Sequence, residues 1–174
     1  MDLKSLIRDV PDFPNPGILF RDVTPLLSDP VAFRYVINAL AEMAGRTLPG
    51  AIVGIESRGF LFGSPVAVHL GLPFVPVRKP GKLPAARMSV EYSLEYGESQ
   101  LDIHQDGFEP GTRAYVIDDL LATGGTARAA AKLVEMARGE VAGFGFVIEL
   151  EALGGRRLLA GYQADALVKY RAGE

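Results

Sequence analysis

A chain of 174 residues, 48% hydrophobic and 22% charged, is long enough to bury one full core and too apolar to stay disordered. Its formal net charge of −3 gives no general attraction for nucleic acid or an anionic membrane, so an anionic partner must be held locally. With no cysteine, disulfide frameworks, thiolate catalysis and the common zinc patterns are excluded. The N-terminus lacks an apolar signal core, and no run of about 18 apolar residues follows. One cytoplasmic domain over residues 1–174 is expected.

Leu3, Leu6, Ile7 and Val10 recur at helical spacing, which predicts a short amphipathic helix ending at Pro11. Pro11, Pro14 and Pro16 then hold the chain extended. Asp29 before Pro30 is a helix start, and Phe33, Val36, Ile37, Leu40 and Ala44 form the stripe that this helix buries before it ends near 46–49. A strand is predicted at 51–55, a helix at 60–70 closed by Gly71, and a second strand at 74–77. Strand, helix and strand in so short a span imply a right-handed crossover and a parallel sheet. Further strands are predicted at 113–117, 141–150 and 166–170. A helix at 127–138 carries Ala130, Leu133, Val134 and Ala137 on its apolar face. The connection 78–105 is too long for an ordinary loop and is rich in Gly, Pro, Lys and Tyr, which predicts a functional flap. His69 and His104 read as structural.

The chemistry concentrates in Val116-Ile117-Asp118-Asp119-Leu120-Leu121-Ala122-Thr123-Gly124-Gly125-Thr126. The string leaves the carboxyl end of a strand and enters the amino end of a helix. Backbone N–H groups without intrahelical partners converge there, and the helix dipole adds positive potential, so a phosphate can be held without a lysine. Thr123 and Thr126 add hydroxyl donors, while Gly124 and Gly125 let the backbone approach an anion. Asp118 and Asp119 would repel a bare phosphate but suit the vicinal hydroxyls of a ribose. A lone Gly-Gly or Asp-Asp would be an ordinary turn or a pair of solvated acids; the whole string in order is not. Glu56-Ser57-Arg58-Gly59 leaves the first strand of the crossover in the same way, and ligands in open parallel sheets bind outside such strand ends. Neither a P-loop nor a Gly-x-Gly-x-x-Gly turn after a strand is present.

The string resembles the phosphoribosyl-pyrophosphate (PRPP) signature of type I phosphoribosyltransferases. Four further segments, 13–22 (Phe-Pro-Asn-Pro-Gly-Ile-Leu-Phe-Arg-Asp), 54–63, 78–84 and 92–97, resemble the branch of that family that acts on adenine. The resemblance implies an α/β fold, a parallel central sheet flanked by helices, with a small N-terminal base-binding hood at 1–30 and a flexible catalytic flap at 78–105. It also implies adenine and PRPP as substrates, AMP and pyrophosphate as products, Mg²⁺ carried on the phosphates and water, and a homodimer without nucleic-acid or membrane partners.

Residue by residue, the resemblance gives Asp118, Asp119, Ala122, Thr123, Gly124, Gly125 and Thr126 to the ribose and 5-phosphate. Glu56, Ser57, Arg58, Arg78, Lys79 and Lys82 go to pyrophosphate, with a cis peptide between Glu56 and Ser57. Leu19, Phe20 and Arg21 wall the base: the ring stacks, the Leu19 carbonyl accepts from the 6-amino group and the Arg21 backbone N–H donates to N1. Glu95 is the catalytic acid at the base, and Tyr96 approaches from the flap. Residues 87–91 and 168–174 do not match the family pattern. Two alternatives stand beside this reading: a PRPP-sensing regulator of nucleic-acid binding, for which the chain has neither the room nor the charge, and the same reaction on another nucleobase.

Overall fold

The computed structural model describes residues 1–94 and 97–174. The chain opens with a single 3-10 turn at Lys4–Leu6 and the strand β1 (Arg8–Pro11), which pairs antiparallel with β2 (Leu19–Asp22). The helices α1 (Thr24–Ser28) and α2 (Pro30–Gly45) follow, then β3 (Ala51–Ile55), α3 (Arg58–Leu70) and β4 (Phe74–Val77). Next come β5 (Arg87–Leu94), β6 (Gly97–His104), β7 (Arg113–Leu121), α4 (Gly125–Met136), β8 (Glu140–Leu150) and β9 (Ala164–Tyr170).

One parallel sheet with the order β4-β3-β7-β8-β9 is the frame. Successive side chains of a strand point to opposite faces, and with helices on both faces each set is buried. Along β7, Val116 joins the core beneath α4, with Phe144 and Phe146 of β8. Its neighbours Tyr115 and Ile117 join the core beneath α2 and α3, with Val36, Leu40 and Phe62. The Tyr115 hydroxyl, deep in that core, donates to the Phe144 carbonyl at 3.0 Å, and burial raises its pKa. The expected capping of α2 is present, since the Asp29 carboxylate accepts from the Val31 and Ala32 amides at 2.9 and 3.0 Å.

Three expectations of secondary structure are corrected. The N-terminal helix reduces to one 3-10 turn and a strand: Leu3 and Ile7 bury in the core, whereas Val10 pairs across the hairpin with Phe20. Four apolar positions are too few to sustain an isolated helix against that pairing. The segment 78–105 is largely regular, because β5 and β6 form an antiparallel ribbon whose Val90, Leu101 and Ile103 are buried in the core beneath α4. The unmatched residues 87–91 lie in β5, where Arg87 Nε stands 3.2 Å from Oδ2 of the fully buried Asp102. Finally, β7 runs on to Leu121, past the expected end at 117, and α4 begins at Gly125. The acidic pair therefore sits on a strand end, not in a loop.

Candidate active site

Sheet register brings the site together. Gly54 of β3 pairs with Ile117 of β7, and Ile55 pairs with Val77 of β4. Residues 56–58 therefore emerge between the strand ends that carry Asp118 on one side and Arg78 on the other. The peptide between Glu56 and Ser57 is cis, as expected. A Cβ at Gly59 would stand 2.8 Å from the Ile117 carbonyl and 3.0 Å from Asp118 Oδ1, so only glycine lets the start of α3 rest on the strand bearing the acidic pair.

These strand ends line a cavity of about 340 Å³. Ser57, Arg58 and Lys79 line it, together with Glu56, Asp118 and Asp119. Ala122, Thr123, Gly124 and Thr126 complete it at the start of α4. Gly124 precedes that helix in the left-handed region, at φ 88°, and no side chain caps the helix. The first-turn amides are thus left for an outside acceptor. The loop is backed by a residue that the sequence reading missed: a Cβ on Gly155 would fall 2.3 Å from the Ala122 carbonyl, and one on Gly124 would fall 2.5 Å from the Gly155 carbonyl. Only a pair of glycines allows these two backbones to touch. The doublet Gly154-Gly155 was the signal available. Tyr92 and Ser99 of the β5–β6 ribbon also line the cavity, and the Tyr92 hydroxyl is 3.3 Å from that of Thr126.

The acidic pair is electrostatically loaded. Burial, then the neighbouring Asp119 charge, raises the pKa of Asp118 well above the ordinary carboxylate value. Burial also raises Asp119, against the opposing pull of Arg58. Asp119 Oδ2 lies 3.0 Å from Arg58 Nε but off the N–H direction, so this buried oxygen has no hydrogen-bond donor among the described residues. Glu56 also lines the cavity, and its Oε2 accepts from Arg78 Nε and the Lys79 amide, both at 3.0 Å. It fixes the Arg78 side chain and the Lys79 backbone just after β4. Arg78, Lys82 and Gly125 do not line the cavity; Gly125 is the first residue of α4. Glu95 and Tyr96 lie outside the described residues.

A second cavity, of about 410 Å³ and mostly apolar, adjoins the first and is lined by Phe13, Phe20, Leu27 and Leu61. Phe20 and Phe13 meet edge to face at 5.0 Å. Arg58 belongs to both cavities. Leu19 is 41% exposed and does not line this space. The buried Arg21 side chain points elsewhere, to Asp9 at 2.5 Å, to the Glu174 carbonyl and onto the Tyr170 ring at 3.8 Å. It ties the β1–β2 hairpin to β9 and to the divergent tail. Among the described residues no group of three or more metal-ligating side chains occurs.

Comparison with known proteins agrees with this geometry. Residues 32–157 match the phosphoribosyl transferase domain. The chain is 62% identical to the adenine phosphoribosyltransferase of Gloeobacter violaceus, over 98% of this chain and 100% of that protein. The crystal structure of adenine phosphoribosyltransferase from Thermoanaerobacter pseudethanolicus superposes with a TM-score of 0.95 at 51% identity, covering 97% of this chain and 98% of that one. The Saccharomyces cerevisiae enzyme, solved with an imino-altritol bisphosphate and adenine, gives a TM-score of 0.90 at 38% identity, covering 95% and 96%.

Proposed function

The chain belongs to the adenine phosphoribosyltransferase family, and we propose that its two adjoining cavities divide the substrates, PRPP in the polar one and adenine in the apolar one. The enzyme transfers the phosphoribosyl group of PRPP to adenine, giving AMP and pyrophosphate in purine salvage. The observation that supports the division is the sharing of Arg58 by both spaces; in this reading the sugar's reacting carbon lies beside that residue.

In this reading the 5-phosphate is held by the amides and hydroxyls of 122–126, and the ribose diol donates to Asp118 and Asp119. The unsatisfied Asp119 Oδ2 supports the second assignment, because a hydroxyl donor would complete it. Arg58, Arg78 and Lys79 receive the diphosphate, with Glu56 orienting the latter two. Adenine N9 attacks C1′ with inversion through an oxocarbenium-like transition state, so negative charge grows on the departing pyrophosphate and must be stabilised there. Mg²⁺, a hard cation that keeps several waters and needs few protein ligands, would supply part of that stabilisation from the diphosphate oxygens. The hard donors lining the polar cavity, the carboxylates of Glu56, Asp118 and Asp119 and the hydroxyls of Thr123 and Thr126, fit such a hydrated cation. Glu95 is assigned to the base and to proton movement at its N7/N9 side, with Tyr96 beside it. The β1–β2 hairpin acts as the hood of the base site and 78–105 as the flap. We also read the molecule as a cytoplasmic homodimer; Leu61 and Val68, 44% and 81% exposed and seven residues apart on α3, offer an apolar contact.

Base choice tests the reading. A backbone carbonyl at Leu19 and an N–H at Arg21 match the 6-amino group and N1 of adenine and oppose the O6 and protonated N1 of hypoxanthine. Two unpaired polar groups at about 1–3 kcal/mol each predict a preference for adenine of roughly 10²-fold in kcat/KM. Equal or reversed values for the two bases would remove the assignment of the base cavity while leaving the PRPP site intact.

A further inference from the structure

Arg58 makes two contacts that the substrates also need. Its guanidinium carbon stands 4.9 Å from the centroid of the Phe20 ring, and its Nε stands 3.0 Å from Asp119 Oδ2. The ring face is the surface assigned to adenine, and the carboxylate oxygen is assigned to the ribose. One guanidinium thus covers the base-stacking surface and shields the acidic pair at once. A cation over an aromatic face is attracted by the ring quadrupole, so a planar base must displace it before it can stack. The ion pair that holds Arg58 in place is a single misaligned contact, on a side chain 36% exposed. A diphosphate offers the same guanidinium paired, aligned, charge-assisted hydrogen bonds, which are the stronger kind.

We propose that Arg58 couples the two subsites: in the free protein it occludes Phe20, and a bound diphosphate draws it away, uncovering the ring for adenine and releasing Asp119 for the sugar. This role rests on the assignment of adenine to the Phe20 cavity. It makes adenine affinity a function of diphosphate occupancy, a coupling between sites that typically amounts to about 5- to 150-fold in affinity.

Calorimetric titration of adenine into the full chain tests it, without turnover, in the absence and presence of saturating pyrophosphate and Mg²⁺. The wild-type Kd for adenine is expected to tighten on the order of tenfold when pyrophosphate is added. Arg58→Gln removes the cover, so without pyrophosphate it is expected to bind adenine more tightly than the wild type does. Arg58→Ala should do the same, and the side chain replaced in both variants, 36% exposed, lies far enough toward solvent to leave folding intact. If neither variant binds adenine more tightly than the wild type in the absence of pyrophosphate, the occlusion is overturned. Phe20→Leu separates this from the underlying assignment. Weakened adenine binding in that variant keeps the base site, whereas unchanged binding removes the base site and the coupling together.

Discussion

Asp118→Asn and Asp119→Asn together are expected to lower kcat/KM by roughly 10²- to 10⁴-fold, on the basis of about 1.5–3 kcal/mol for each charge-assisted hydrogen bond to the ribose diol. Stability should move the other way. Folding raises both carboxyl pKa values, chiefly by burial, above the unfolded value of about 3.9. For an acid shifted in this direction, the favourable contribution is fully present below the unfolded pKa and is lost as pH rises through the folded one. At neutral pH the pair therefore costs stability. Asparagine carries no charge to desolvate, and at position 118 its carbonyl can still accept from the residue 119 amide, as Asp118 Oδ1 now does at 2.9 Å. The expected result is a raised Tm at pH 7, a gap from wild type that narrows toward pH 4, and a steep loss of turnover. Thermal melts at the two pH values with steady-state kinetics check it. A double variant that melts lower at pH 7 and turns over normally would make the pair a structural feature of β7.

The second large effect is expected at Gly124. Alanine there meets two penalties: a left-handed backbone at φ 88°, and a Cβ placed 2.5 Å from the Gly155 carbonyl. Neither backbone can yield without moving the other, because a Cβ on Gly155 would itself fall 2.3 Å from the Ala122 carbonyl. The loop at 122–124 must swing toward the cavity, misplacing the amides assigned to the 5-phosphate. A displacement of about 1 Å in a positioning group can cost about 10²-fold, and the strain adds about 1–3 kcal/mol of lost stability. Gly124→Ala is therefore expected to raise KM for PRPP on the order of 10²-fold while adenine binding changes little. An equal rise in both constants would point to general loosening of α4 and not to a phosphate cradle.

How far the sequence carries is clearest residue by residue. The strands of the parallel sheet are legible because apolar runs such as 51–55 and 141–150 are bounded by turn residues and buried on both faces. The polar cavity is legible because its chemistry lies in contiguous strings at strand ends, and the register of β3 against β7 merely brings them together. The β5–β6 ribbon was missed although Met88, Val90 and Tyr92 alternate with Ser89, Glu91 and Ser93; the Gly, Pro and Lys residues just before it make the whole stretch read as a loop. The N-terminal strand was missed because four apolar residues fit either period, and pairing with Phe20 decided between them. The contacts of Arg58 with Phe20 and of Gly124 with Gly155 join residues far apart in sequence. No local pattern encodes them, and they are what bring the two cavities together and hold the anion loop in place.

A crystal structure of the protein with AMP bears most directly on the account. The 5′-phosphate should lie within hydrogen-bond distance of the amides of 123–126, the ribose diol on Asp118 and Asp119, and the adenine ring against Phe20, with Arg58 withdrawn from that ring. AMP bound with its phosphate at 56–58, or with its base away from Phe20, would contradict it.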